Sequence, residues 1–291
     1  MGINESAYLL VYHGSRDPRP KIAVEKLASH ISQRISKQLL RNSSNYSQDL
    51  VNDPSSKAST TLTEERRSIQ APLLHPKAIV IDYTDFVGTA SLELAVKPLH
   101  EQIIDFASLI HENGYKNLQI VPLFLLAGVH LKEDIPSEIA IAQEILGNLG
   151  NNIKLNVRPY LGSHPGLESL IARKFLNQIS NTASAKILVS HGSRRPEASR
   201  QVEAIAASIG ASIAYFSIPP NLESLVLDFV AKGSKEITIM PYFLFPGSIT
   251  DTIALTIERL NLQFPAVSFK LIEPLGTSAE LATLIWDLVE K

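Results

Sequence analysis

The stretch YLLVYHGSRDPRP at residues 8–20 decides the fold, because the chain repeats it as KILVSHGSRRPEA at residues 186–198. Each copy is an aliphatic-rich run followed by His-Gly-Ser-Arg and then a proline. A short apolar run before such a turn signal is typical of a strand that is buried on both faces. Strands of that kind form parallel sheets covered by helices. The same strand and turn therefore begin two similar domains.

The repetition continues along the chain in the same order. The further matching blocks are 22–31 with 200–209, 89–98 with 211–220, 113–128 with 232–247, and 160–171 with 274–285. Several blocks in one order indicate a tandem duplication of a single domain. We place the boundary so that the N-terminal domain is 1–182 and the C-terminal domain is 183–291.

The first copy is longer than the second. The offset between matching blocks falls from 178 at the first helix to 122 at the second strand, so the first copy carries 56 additional residues. This insertion, at about 41–76, is rich in Ser, Thr, Asn and Asp, and it cannot bury enough apolar surface to offset its ordering entropy. We predict a mobile surface loop there, in preference to a lid over a site.

Strand patterns alternate with helical patterns within each copy. The predicted strands of the first copy are AYLLVY at 7–12, a segment ending in TASLEL at 89–94, LQIVPLFL at 118–125 and KLNVRPYL at 154–161. Gly114 is expected to end the second helix, and Ser163 is expected to cap the start of the last one. This alternation predicts an α/β fold with two tandem domains, each a parallel sheet of about four strands flanked by helices.

Composition and charge exclude several classes of protein. The formal net charge of −2 gives no support for a nucleic-acid or membrane-surface partner. No apolar run approaches the roughly 20 residues of a membrane span, and the N-terminus lacks the pattern of a secretory signal. We expect a soluble, cytoplasmic protein. Cysteine is absent, so any strong metal site has to use histidine and carboxylate ligands.

Three such side chains follow strands of the first copy. His13 comes directly after the first strand, Glu93 ends the second, and His130 follows the third. Ligands of open α/β sheets bind beyond the carboxyl ends of the strands, so the topology brings these residues to one edge. Two imidazoles and a carboxylate suit a borderline divalent cation such as Fe²⁺, Co²⁺ or Ni²⁺.

The second copy keeps one of the three. His191 matches His13, but the alignment puts Tyr215 and Ile249 where the first copy has its carboxylate and its second imidazole. We therefore predict that the metal site lies in the first copy, and that the second copy keeps the fold. Whether His191, or His164 at another strand end, also faces the cleft stays open at this point.

The motifs resemble one known family. HGSR at 13–16, SLELAVKP at 91–98 and VPLFLLAGVHLKEDIP at 121–136 together resemble the sirohydrochlorin chelatases, the ferrochelatases and cobaltochelatases of siroheme and cobalamin synthesis, in the long duplicated form. The resemblance implies two chelatase-like domains of flavodoxin- or Rossmann-like type. It also implies an ATP-independent enzyme without a permanently bound cofactor, and the chain has no phosphate-binding P-loop motif.

The resemblance also assigns roles to residues. His13 and His130 would be the metal-binding and catalytic histidines, and Glu93 would be their acidic partner. An imidazole binds a metal ion or accepts a proton near neutral pH, which suits metal insertion into a tetrapyrrole with release of two protons.

The substrate's many carboxylates require donors at the cleft. Arg16, Arg19 and Lys132 flank the two histidines, and we favour Arg16 and Lys132 as substrate-binding residues. The Gly14 and Ser15 amides open toward the first helix and suit a carboxylate as well. The alternative for Ser15 and Arg16 is that they only cap that helix.

Several alternatives remain open from the sequence. The same cleft suits a non-catalytic carrier of tetrapyrrole or metal, and ligand type admits iron, cobalt and nickel alike. We expect the partners to be sirohydrochlorin and a divalent metal ion, with neither nucleic acid nor membrane. We also expect a monomer whose two halves close over one cleft as an internal pseudo-dimer.

Overall fold

The computed structural model describes residues 6–51, 87–178, 184–192 and 196–290. The first repeat contains β1 (Ser6–Tyr12), α1 (Pro18–Val51), β2 (Val87–Ser91), α2 (Leu99–Glu112), β3 (Asn117–Pro122), α3 (Ile135–Asn148), β4 (Lys154–Val157) and α4 (Gly166–Leu176). The second repeat contains β5 (Ala185–Ser190), α5 (Pro196–Ser208), β6 (Ser212–Tyr215), α6 (Leu222–Ala231), β7 (Glu236–Pro241), α7 (Ser248–Gln263), β8 (Ser268–Leu271) and α8 (Ala279–Glu290).

The strands form two parallel sheets of four strands with the same topology. The orders are β2-β1-β3-β4 and β6-β5-β7-β8, and every neighbouring pair is parallel. All four carboxyl ends of a sheet therefore lie at one edge. The predicted α/β fold with two tandem parallel sheets flanked by helices is confirmed.

Each sheet separates two hydrophobic layers because successive side chains of a strand point to opposite faces. In β1, Leu9 and Val11 pack in an outer core with residues of α2 and α3. Tyr8 and Leu10 point the other way, into a central core. The central core is continuous between the two repeats, since it also contains Leu188 of β5 and residues of α5 and α8. The two sheets thus share one buried interior.

The last helix, α8, packs on the first repeat. It contacts β3, α1 and α4, and the carbonyl oxygen of Leu288 accepts a hydrogen bond from Arg158 Nε at 2.8 Å, just after β4. Arg34 of α1 donates to Thr283 Oγ1 at 3.0 Å and lies 5.5 Å above the ring of Trp286. A helix of the second repeat therefore covers the first sheet.

The corresponding helix of the first repeat, α4, packs on the second repeat. Lys174 Nζ donates to the carbonyl oxygen of Pro274 at 2.9 Å, and burial lowers the pKa of this amine. Phe175 lines a small cavity together with Lys186 of β5 and Ile209 after α5. Each closing helix thus packs against the other repeat, while the domain boundary near residue 182 stays a prediction from the sequence.

Helix α1 is longer than predicted. It runs for 34 residues to Val51, so the loop predicted to begin at about residue 41 is wrong for 41–51. The segment SKQLLR at 36–41 consists largely of good helix formers, which is compatible with a helix that continues through it. The rest of the predicted insertion, 52–76, lies outside the described residues.

Of the two predicted helix ends, the one at Gly114 is confirmed and the one at Ser163 is wrong. Gly114 follows α2 at φ +82° and donates to His111, as predicted for a C-terminal glycine. Ser163 does not cap α4, because a 3₁₀ turn over Leu161–Ser163 delays the helix start; its Oγ donates instead to Tyr160 O at 2.6 Å.

In the described part of the chain, every helix is too short or too polar to cross a bilayer.

Candidate metal-binding site

The first histidine is held where two loops meet backbone to backbone. His13 follows β1, and its carbonyl oxygen accepts a hydrogen bond from the amide of Glu93 at 2.9 Å. Gly14 adopts φ +97°, and a Cβ on it would lie 2.0 Å from Glu93 O. Only glycine satisfies both the left-handed backbone and the close approach. The HG pair thus places His13 beside Glu93.

The second histidine stands on a π-helical turn after β3. This turn spans His130–Asp134 and leads directly into α3. Such turns often occur at functional sites. Phe124, which is buried, lies beneath both imidazoles, with ring centroids 6.4 Å from His13 and 6.3 Å from His130. The loop after β3 therefore supplies an apolar floor and one ligand candidate.

The three predicted metal ligands converge. Glu93 Oε2 lies 3.9 Å from His13 Nδ1, and Glu93 Oε1 lies 3.9 Å from His130 Nε2. The imidazoles cross edge to face with centroids 4.7 Å apart, and one donor atom from each of the three residues lies within 4.8 Å of the others. Donor atoms bound to one ion at about 2.0–2.2 Å are at most about 4.4 Å apart, so small side-chain shifts suffice.

This cluster is open to solvent. The exposed fractions of the side chains are 53% for His13, 48% for Glu93 and 31% for His130. Three ligands at an open edge leave coordination positions for an incoming group, whereas a closed structural site would have none. The arrangement can therefore hold an ion and still present it to another molecule.

A fourth residue orients His130 and was not predicted. Asp134 Oδ2 lies 2.6 Å from His130 Nδ1. When Nδ1 carries the proton, the carboxylate accepts its hydrogen bond and the Nε2 lone pair is free to face Glu93, which is the usual arrangement behind a metal-binding histidine. The i, i+4 spacing in HLKED at 130–134 is the signal that would have found it.

The predicted substrate-binding residues surround the cluster, but their role stays a prediction. Ser15 Oγ accepts a hydrogen bond from the amide of Asp17 at 3.0 Å, so it also helps to shape the start of α1. Gly14 makes the backbone approach described above. Arg16 and Lys132 are exposed, the first on the loop after β1 and the second on the π-helical turn.

Arg19, the third flanking cation, is part of an ion-pair network between the repeats. Its Nη1 and Nη2 atoms lie 3.0 and 2.5 Å from the carboxylate oxygens of Asp251 at the start of α7. Its Nε lies 3.0 Å from both oxygens of Asp17. These hydrogen bonds hold the pKa of both carboxyls below its usual value. We call this network the Arg19 clasp.

The clasp places the carboxyl edges of the two sheets side by side. Asp251 follows β7, and Arg19 follows β1. A second link between the same two edges joins Tyr242 Oη to Leu125 O at 3.4 Å. The candidate site therefore faces a cleft bordered by both repeats.

The register of the second sheet corrects one assignment. Tyr12 pairs with Ser91 in the first sheet, and the equivalent Ser190 pairs with Tyr215 in the second. The amide of Ser217 donates to His191 O at 2.9 Å, the same bond that Glu93 makes to His13. Ser217, rather than Tyr215, therefore stands at the position of Glu93. A slip of two residues keeps every side chain on the same face of the strand, which is why the alignment missed it.

The residues at this second edge do not reproduce the cluster. Tyr215 is buried, and burial raises its pKa to about 12 while its hydroxyl donates to Glu203. His191 is exposed and stacks loosely on Phe216, with ring centroids 6.4 Å apart. Within the described part of the chain, the first repeat alone brings two imidazoles and a carboxylate together.

His164, the other histidine left open, lies at the start of a helix. Its ring is buried, and Nδ1 accepts a hydrogen bond from the amide of Gly166 at 3.0 Å. Nε2 lies 3.6 Å from Asp287 Oδ2 on α8. His164 thus binds the first amide of α4, while Pro165 stands at the N-cap of that helix.

Comparison with known proteins finds related sequences. The family model described as CbiX matches residues 80–178 and again residues 185–291. A sirohydrochlorin ferrochelatase of Priestia megaterium is 29% identical over 188 residues, which cover 60% of this chain and 67% of that protein. A sirohydrochlorin cobaltochelatase of the same organism is 21% identical over 191 residues, which cover 61% of either protein.

Solved structures share the fold over nearly the whole chain. SirB from Bacillus subtilis with Fe³⁺ has a TM-score of 0.70 at 17% identity, and the similarity covers 98% of this chain and 94% of that one. SirB from Bacillus subtilis subspecies spizizenii in complex with cobalt has a TM-score of 0.62 at 18% identity, with the same coverage. Because the family model matches well over half of the residues, once in each repeat, this chain belongs to the CbiX family of sirohydrochlorin chelatases.

Proposed function

We propose that this chain inserts a divalent metal ion, Fe²⁺ or Co²⁺, into sirohydrochlorin without ATP, with release of two protons. The observation that supports this most directly is the open cluster of His13, Glu93 and His130, whose donor atoms approach within 4.8 Å of one another. The curated relatives named as a ferrochelatase and a cobaltochelatase support the same reaction class.

In this proposal the cluster holds the metal substrate only loosely. The two imidazoles and the carboxylate replace part of the ion's water shell, and the solvent-facing positions stay available to the pyrrole nitrogens of the macrocycle. Weak and incomplete coordination favours transfer, because a closed four-ligand site would retain the ion. Fe²⁺, Co²⁺ and Ni²⁺ all accept such ligands, so metal supply and site geometry together set the choice.

The same residues accept the protons that the macrocycle releases and pass them on. As a metal ion enters the macrocycle, the two pyrrole N–H groups have to lose their protons to nearby bases. A free imidazole is a base of suitable strength near neutral pH, and Glu93, which faces both rings, passes protons on to solvent. Asp134 holds the His130 ring in place through the 2.6 Å contact at Nδ1.

The carboxylates of the substrate bind to hydrogen-bond donors around the cleft in this proposal. We assign Arg16 and Lys132, together with the amides of Gly14 and Ser15, to this role. Guanidinium and ammonium groups and the amides that open a helix are all suited to binding carboxylates. We further expect the protein to act as a monomer in the cytoplasm; both stay predictions from the sequence.

An anaerobic insertion assay tests this proposal. Purified protein is mixed with sirohydrochlorin and Fe²⁺, Co²⁺ or Ni²⁺ without ATP, and insertion is followed by the change in the pigment's visible spectrum. The expected result is catalytic turnover with Fe²⁺ or Co²⁺ that the His13→Ala variant loses. Stoichiometric binding of pigment without insertion would identify a carrier, and unchanged turnover by His13→Ala would contradict the assigned site.

A further inference from the structure

A glutamine of the second repeat reaches into the edge of the first sheet. Gln201 lies on α5, and its Nε2 donates to Leu125 O at 3.3 Å and to Gly162 O at 2.9 Å. Its Oε1 accepts from the amide of Ala127 at 3.4 Å and from the hydroxyl of Tyr160 at 3.2 Å. Both donors and the acceptor oxygen of this one amide are therefore engaged with the loops that follow β3 and β4.

One of these loops carries the candidate metal site. Residues 123–129 connect β3 to His130, and Phe124 at their start lies beneath the imidazoles of His13 and His130. The two loop residues that bind Gln201 stand between Phe124 and His130 in the sequence. A shift of this segment would move the floor and one ligand of the site together.

The two loops need a donor at this point. A Cβ on Gly162 would lie 1.9 Å from Leu125 O, so the loops cross backbone to backbone. This crossing leaves the carbonyl oxygens of Leu125 and Gly162 close enough to share one amide nitrogen. A primary amide has two N–H groups, one for each carbonyl. Without it, the Gly162 carbonyl would lose its amide donor, and the Leu125 carbonyl would keep the more distant hydroxyl of Tyr242, at 3.4 Å.

We call the four hydrogen bonds of the Gln201 amide the Gln201 clamp, and the equivalent position of the first repeat cannot form one. The position of Gln201 corresponds to Ala23 on α1, and the neighbouring Val202 and Val24 are both buried, which supports this equivalence. An alanine side chain has no polar atom with which to bridge two loops. The second repeat therefore supports the metal-bearing edge of the first through Gln201, whereas α1 contacts the second repeat at this end through the Arg19 clasp.

We infer that Gln201 is a positioning residue for the metal site, which fixes the loop between Phe124 and His130. The inference rests on the proposed function for its catalytic meaning. It gives the second repeat a specific part in the reaction, because a side chain from α5 sets the place of a metal ligand in the first repeat.

The test compares two glutamines. Gln201→Met keeps the length of the side chain and removes its hydrogen bonds. Gln143→Met is the matched control, because Gln143 also bridges backbone groups, of Ile153 at 3.5 Å and Leu155 at 3.3 Å, but does so between α3 and β4. We expect Gln201→Met to weaken Co²⁺ binding by about 3–10-fold, less than the roughly 10–100-fold of a residue bonded directly to a ligand.

The visible ligand-field spectrum of bound Co²⁺ should also change in Gln201→Met, and kcat should fall while the KM for sirohydrochlorin stays the same. Gln143→Met should leave the Co²⁺ affinity and spectrum unchanged. If Gln201→Met does not fold, Tyr160→Phe removes a single hydrogen bond of the same clamp and should show a smaller effect of the same sign. Unchanged Co²⁺ affinity and spectrum in a folded Gln201→Met protein would overturn the inference.

A measurement without metal separates this inference from the proposed function. Long-range ¹H–¹⁵N spectra of the His130 imidazole should shift in Gln201→Met and not in Gln143→Met, whether or not the protein is a chelatase. If wild-type protein inserts no metal but the His130 signals respond in this way, the proposed function fails and the positioning role stands. If the His130 signals do not respond, the positioning role fails.

Discussion

His130 Nδ1 and Asp134 Oδ2 lie 2.6 Å apart, one turn from each other on the π-helical segment before α3. This contact fixes the orientation of the His130 ring and directs Nε2 toward Glu93 Oε1, 3.9 Å away. An imidazole whose far nitrogen is bound to a carboxylate is also a more basic ligand. Asp134 is therefore expected to influence metal binding through its contact with His130.

The first prediction removes that carboxylate. Asp134→Ala should weaken Co²⁺ binding by about 10–100-fold, because the ring loses both its fixed orientation and its anionic partner. Isothermal titration of the metal-free protein measures the affinity. Glu133→Ala is the control, since it removes the same charge from the adjacent position on the same turn. Equal losses in both variants would mean that the general charge of the turn, and not the contact with His130, supports binding.

The second prediction concerns Gly14. Gly14→Ala adds a Cβ that would meet Glu93 O at 2.0 Å, in a backbone with φ +97°. The loop carrying Glu93 has to move away, so both the stability and the Co²⁺ affinity should fall. Gly114→Ala is a matched control, because Gly114 has φ +82° but open space around it. That variant should lose only the about 1–3 kcal/mol of an unfavourable backbone conformation and keep its metal affinity.

Urea unfolding and Co²⁺ titration distinguish the two glycine variants. A Gly14→Ala protein that binds Co²⁺ as wild type does would contradict the claim that this close approach sets the position of Glu93.

The third prediction concerns the Arg19 clasp and pH. Its hydrogen bonds lower the folded-state pKa of Asp17 and Asp251 below the usual 3.8. Groups of this kind stabilise the fold fully above the unfolded-state pKa, and the contribution is lost as the pH falls through the lowered folded-state pKa. Arg19→Gln should therefore reduce the free energy of unfolding at pH 5–7, and the difference from wild type should shrink below about pH 4.

Urea unfolding at several pH values measures this difference. High salt should reduce it as well, because the clasp is exposed. Arg173→Gln, which changes an exposed arginine of α4, should show no such dependence on pH. A difference that grows on acidification would contradict the assigned sign.

The fourth prediction tests the exchange of closing helices. Trp286 of α8 is 3% exposed and packs in the central core that covers the first sheet. Trp286→Ala should cost about 3–5 kcal/mol of stability, as is usual for a large buried aromatic side chain. Hydrogen exchange should show lower protection in β1 and β3, which belong to the other repeat. Leu262→Ala, at a position that is 83% exposed, should change neither property.

Loss of protection confined to β5–β8 in Trp286→Ala would contradict the exchange of helices.

The sequence predicted the sheets because each strand carries its own local pattern, and the repetition of blocks showed that pattern twice. It did not predict that α4 and α8 exchange partners. Both sheets present the same kind of apolar face, so the pattern of a closing helix is the same whichever sheet it covers. Long-range ion pairs could not be predicted either, because Arg19 and Asp251 are separated by 232 positions and no local pattern connects them.

The candidate site could be predicted from the sequence for a different reason. His13, Glu93 and His130 each follow a strand, and parallel strands bring their carboxyl ends to one edge, so topology alone predicts their convergence. Asp134 was overlooked although its spacing from His130 was visible. Gln201 had no signal, because its partners are backbone atoms of the other repeat.

The last prediction rebuilds the lost site in the second repeat. Because Ser217 makes the backbone contact of Glu93, and Ile249 stands at the position of His130, the double variant Ser217→Glu with Ile249→His should assemble a carboxylate and an imidazole beside the exposed His191. Metal titration should then show a second Co²⁺ equivalent.

The second equivalent should bind more weakly than the first, because the position of Asp134 is taken by Ile253, which cannot orient the new histidine. The control places the carboxylate where the sequence alignment puts it, as Tyr215→Glu with Ile249→His. Tyr215 is 5% exposed, so a carboxylate there would be buried and should destabilise the fold without creating a site. If the Tyr215 variant gained the second Co²⁺ and the Ser217 variant did not, the structural equivalence of Ser217 with Glu93 would be wrong.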